Sequence, residues 1–61
     1  MIYQKIKELR EKHNLSQEEL GNAIGISRVA ISQVELGERS IKADELKIFA
    51  DVFDVDVNEL L

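Results

Sequence analysis

The chain has 61 residues, 44% of them hydrophobic and 33% charged, with no cysteine, no proline and a net charge of −4. That length holds one domain, spanning 1–61, which hides only about 60% of the surface its unfolded chain exposes, so little pocket is expected. No thiolate or histidine cluster exists to hold a metal, no apolar run reaches the ~18 residues of a membrane span, and the charged start is unlike a signal peptide. The expectations are a cytoplasmic protein with no cofactor, no metal and no membrane partner.

Ile2, Ile6 and Leu9 recur at helical spacing and predict a first helix that fades at His13-Asn14. Ser16-Gln17-Glu18-Glu19 is a capping-box pattern that opens a second helix, with Leu20, Ala23 and Ile24 turned inward and Gly25 as its stop. Ser27 has the chemistry of an N-cap for a third helix, which buries Ala30, Ile31 and Val34 and stops at Gly37. A fourth helix starts within 40–43 and carries Leu46, Phe49, Ala50 and Phe53 on one stripe. Asp56-Val57-Asn58-Glu59 repeats the capping pattern and predicts a short fifth helix running to Leu61. Residues 52–57 alternate apolar and polar as a strand would, yet no second alternating run exists to pair with them. The expected fold is therefore all-α, a compact bundle of five short helices.

Negative charge argues against nucleic acid, whose binders usually carry a basic footprint. The distribution softens that objection: residues 1–13 sum to +2, residues 14–39 to −2 and residues 40–61 to −4, so the acidity gathers at the C-terminal end. Residues 17–36 hold a helix, a glycine turn and a second helix, the geometry of a helix-turn-helix whose second helix enters the DNA major groove. Leu20, Ile24, Ile26, Ile31 and Val34 supply the small core that fixes the angle between those helices, and Gly21 falls where they approach most closely.

The stretch LSQEELGNAIGISRVAISQVELGERS, preceded by KELREKH and followed by ELKIFADVFDVDVNELL, resembles the Cro and lambda-repressor-like (XRE-type) helix-turn-helix family over almost the whole chain. The resemblance implies a five-helix repressor domain that regulates transcription by binding operator DNA, a double-stranded DNA partner, as a homodimer. It also implies base contacts from Arg28, Val29, Ser32 and Gln33 and phosphate contacts from Gln17, Ser27, Arg39 and Lys42. Arg10 and Glu35 match a structural ion pair between the first and third helices. The chemistry of the reading face agrees, because arginine grips guanine, glutamine grips adenine, and valine packs on a thymine methyl. Glu38 stands where the family commonly has lysine or arginine, Gly21 where alanine is commoner, and Asp54 where glycine usually ends the fourth helix.

Ile48, Val52, Val55, Val57, Leu60 and Leu61 lie off the core stripe and predict an apolar patch. The dimer contact is expected there, built from Val55, Val57, Leu60 and Leu61. The rival reading keeps the fold and changes the role, to a protein-interaction module such as an antitoxin or a partner of another regulator. An enzyme is not expected: the sequence offers no nucleophile–base pair, metal cluster or phosphate loop.

Overall fold

The computed structural model describes residues 1–61, which form four α-helices and one turn of 3₁₀ helix: α1 (Ile2–Lys12), α2 (Gln17–Ile24), α3 (Arg28–Glu35), α4 (Ala43–Phe53) and the 3₁₀ turn Val57–Glu59. Each boundary has a local cause. The Ser16 hydroxyl accepts the Glu19 amide at 2.9 Å while the Glu19 carboxylate accepts the Ser16 amide at 2.8 Å, satisfying two of the orphan donors at the start of α2. The bond from the Ser16 amide, chiefly, and the Ser16 hydroxyl hold the Glu19 carboxyl below the usual carboxylate range. Ser27 accepts from the Ala30 amide at 3.1 Å and opens α3.

Termination uses left-handed residues. Asn14 (φ 57°), Gly37 (φ 75°) and Asp54 (φ 55°) each follow a helix and let its last carbonyls be reached by later amides. After α4, for example, the Val55 amide returns to the Ala50 carbonyl at 3.0 Å. Asparagine and aspartate tolerate this conformation because their short polar side chains bond locally.

The sequence pattern predicts five helices, and the structure has four. The fifth is a single 3₁₀ turn, closed by Glu59 N–H to Asp56 O at 2.9 Å and Leu60 N–H to Val57 O at 3.0 Å. Its capping pattern is real: the Asp56 side chain accepts the Asn58 amide, and the Glu59 carboxylate accepts the Asp56 amide. A cap fixes where a helix begins and says nothing about how far it propagates. Here the inward residues Val57 and Leu60 stand three apart, the spacing of a helix with three residues per turn.

One core holds these elements together, formed by Ile6 of α1, Leu20 and Ile24 of α2, Ile31 and Val34 of α3, Phe49, Ala50 and Phe53 of α4, and Leu60. The Phe49 and Phe53 rings stack with centroids 6.3 Å apart, and His13 lies over Phe53 at 5.7 Å. Gly21 is buried at the close approach expected of it, whereas Ala23, expected inward, is exposed. A Cβ on Gly21 would stand 2.6 Å from the Ile26 carbonyl oxygen, so the turn into α3 lies against bare backbone. No helix is long and apolar enough to cross a membrane.

Candidate nucleic-acid interface

The two helices of residues 17–36 are joined by Gly25-Ile26-Ser27, with Gly25 at φ 93°, a conformation that side chains resist. The Gly25 and Ile26 amides both donate to the Gly21 carbonyl, at 2.7 and 3.0 Å, drawing the chain tightly round the end of α2. Ile31 and Val34 then point into the core, which leaves the opposite side of α3 in solvent.

That outward side carries Arg28, Val29 and Gln33 exposed and Ser32 half-buried. Arg28 has no ion-pair partner among the three ion pairs of the molecule, so its guanidinium is free to bond a ligand. Val29 is 55% exposed, an apolar residue at the middle of a polar face. Leu36, seven residues on and therefore on the same side, is 67% exposed. The sequence reading includes Leu36 in the second helix of the motif but gives it no contact. The i, i+7 spacing from Val29 is the signal that finds it.

Gln17, the first residue of α2, is half-buried and donates from Nε2 to Glu35 Oε1 at 3.1 Å. Glu35 is the end of α3, with its side chain only 3% exposed, and Arg10 grips it twice: Nε to Oε2 at 2.6 Å and Nη2 to Oε1 at 3.1 Å. The remaining guanidinium nitrogen, Nη1, donates to the Leu15 carbonyl at 2.8 Å. The hydrogen bonds to Glu35 raise the pKa of Arg10 above its ordinary value, so the guanidinium keeps its charge. α1, α2 and α3 thus meet at one carboxylate.

Ser27 keeps a free hydroxyl hydrogen, since its oxygen acts as the acceptor for the helix cap. Lys42 is exposed and its ammonium has no ion-pair partner. Arg39 is differently placed. Its Nη2 donates to Glu45 Oε2 at 3.0 Å and its Nη1 is buried without a partner, so a phosphate would have to draw it out of that pairing. Glu45 also accepts the Lys42 amide at 3.1 Å, and chiefly that bond lowers its pKa. The loop forms one side of an open cleft of about 300 Å³ against Ile2 and Tyr3 of α1, more space than the chain length leads one to expect.

The expected dimer residues separate. Val57 and Val55 are half-buried against the core, and Leu61 is exposed. Leu60 is 1% exposed and belongs to the core, so it cannot face a second protomer. The reason is the 3₁₀ turn, which folds back on α4 and swings Leu60 inward. Ile48, on the free side of α4, is exposed beside half-buried Val52.

Comparison with known proteins fits this geometry. The helix-turn-helix family matches residues 6–60, nearly the entire chain. The chain belongs to that family. Within it, the fold is shared with the P22 c2 repressor, solved in complex with a synthetic operator, at a TM-score of 0.92 and 30% identity over 100% of this chain and 92% of that one. The restriction-modification controller protein C.AhdI of Aeromonas hydrophila superposes with a TM-score of 0.91 and 32% identity, covering 98% of this chain and 87% of that one. Among curated sequences, the transcriptional activator BcrR of Enterococcus faecalis is 38% identical over 95% of this chain, and the antitoxin PezA of Streptococcus pneumoniae 34% identical over 100%. This chain spans 28% of BcrR and 39% of PezA.

Proposed function

We propose that this helix-turn-helix domain is a sequence-specific regulator of transcription, repressor-like, that binds double-stranded operator DNA in the cytoplasm and is not an enzyme. The single observation that carries the reading is the outward side of α3, where unpaired Arg28, Val29 and Gln33 stand free on a helix whose opposite side is locked into the core. Arg28 and Gln33 hydrogen-bond base edges, Val29 takes a thymine methyl, and Ser32 lies beside them. Gln17, Ser27 and Lys42 hold phosphates. Arg39 contributes after leaving Glu45. The likeness to a repressor solved on its operator supports the same docking.

One α3 of eight residues reads only a few base pairs, so a homodimer on half-sites about 34 Å apart supplies the specificity. Ile48, Val55, Val57 and Leu61 offer its contact, and the small apolar area implies a dimer that assembles fully on DNA. The decisive experiment is operator selection from a random duplex pool, expected to enrich a two-fold-related sequence. A second reading, a protein-interaction module, is favoured by the relationship to an antitoxin. Retardation of random duplex separates the two: an operator binder has nonspecific Kd of roughly 10⁻⁴ to 10⁻⁶ M at physiological salt. Failure to retard it even at low salt favours the second reading.

A further inference from the structure

We infer that Glu35 is the positioning residue for the Gln17 phosphate contact, fixing which end of the Gln17 amide is turned to the DNA; the inference rests on the Gln17 contact proposed above. A glutamine amide carries two N–H donors at one end and an acceptor oxygen at the other. Only the donor end bonds a phosphate, and an unrestrained side chain presents either. In this protein Nε2 lies 3.1 Å from Glu35 Oε1. A carboxylate only accepts, so the reversed amide would set oxygen against oxygen. One N–H of Gln17 is thereby held on Glu35, and the second stays on the same nitrogen for a phosphate.

Glu35 is itself immobile. Arg10 holds both of its oxygens, and the Leu15 carbonyl holds Arg10. At 3% exposure the Glu35 side chain cannot touch DNA, so it acts through Gln17. Arg10 also offsets the negative charge that Glu35 would otherwise present near a phosphate. Because Glu35 ends α3 and Gln17 begins α2, the same bonds fix the spacing between the phosphate anchor and the reading face.

The test compares DNA affinity in four proteins: wild type, Gln17→Ala, the repacked pair Arg10→Leu with Glu35→Leu, and all three substitutions together. The repacked pair removes one positive and one negative charge, so net charge, and with it the long-range electrostatic attraction to DNA, stays the same. On the selected operator, Gln17→Ala is expected to lose about tenfold, the range of a hydrogen bond to a charged group. The repacked pair should lose a comparable amount on operator and random duplex alike, and adding Gln17→Ala to it should cost nothing further. The salt dependence should not change, because no cation on the DNA face is lost. If the repacked pair binds like wild type, and Gln17→Ala costs the same in both backgrounds, Glu35 serves stability alone and the inference falls. If Gln17→Ala has no effect in wild type, the underlying phosphate contact falls with it. Should the repacked pair not fold, side-chain amide exchange in wild type answers the question. Protection of Gln17 Nε2 relative to exposed Gln33 supports the positioning, and equal exchange of the two overturns it.

Discussion

Residues 17–36 and residues 54–61 are both short, both capped by side chains and both anchored in the same core, yet they are determined differently. In the first region local chemistry fixes the backbone: a capping box, the left-handed Gly25 and a buried carboxylate shared by three helices. In the second the cap is present but the path beyond it is set by tertiary packing, with Leu60 in the core and Val55 and Val57 against it. Regions pinned by backbone chemistry display their side chains predictably. A region pinned by tertiary contacts keeps its residues' faces hidden until the fold closes.

The comparison breaks first at Glu35. Glu35→Ala strands the Arg10 guanidinium and is expected to cost about 3–5 kcal/mol, much of the stability of so small a domain. Replacing both partners by leucine should cost far less, and denaturant melts of the two proteins check the difference. Leu60→Ala is next, expected to cost about 2–5 kcal/mol at every protein concentration because Leu60 packs within its own chain. Leu61→Asp should leave that melt unchanged and shift only the sedimentation of the proposed dimer.

Gly21→Ala sharpens the first region. Alanine favours a helix by about 1 kcal/mol over glycine, but its Cβ would press on the Ile26 carbonyl, and the overpacking costs about 1–3 kcal/mol. A net loss of stability, read by thermal melt, is expected, with weaker operator binding as the turn into α3 shifts. The smallest effect is with pH. Glu19 and Glu45 have lowered pKa values in the folded chain, so the folded state binds fewer protons than the unfolded one. Their stabilisation is full above the ordinary glutamate value of about 4.3 and is lost as pH falls through the folded values. Melting temperature should therefore decline on acidification below about pH 5, and less so in Glu45→Gln.

Most helix starts are legible because serine and aspartate caps act within three residues, and the observed α2 and α3 begin where Ser16 and Ser27 place them. Asp54 as the end of the fourth helix comes from the resemblance, and its left-handed φ of 55° agrees. Gly21 is legible as the point of close approach, while Ala23 faces solvent because the turn at Ile26 packs on the Gly21 side of α2, which periodicity does not encode. Leu60 is misplaced for a kindred reason: its inward course depends on a 3₁₀ turn whose length no cap specifies. The Arg10–Glu35 pairing comes from the resemblance alone, since no local rule joins residues 25 positions apart. The Gln17 bond to Glu35 and the Arg39 bond to Glu45 emerge only with the coordinates.

The central claim is that the outward side of α3 reads bases. The most direct measurement is the affinity of wild type and Gln33→Ala for the selected operator and for random duplex at one salt concentration. Gln33 is exposed and uncharged, so its loss leaves the fold and the nonspecific attraction intact. Binding to the operator should weaken by about 1–3 kcal/mol, with preference relaxed at one base position and random duplex bound as before. Equal weakening on both duplexes, or none on either, would contradict the claim.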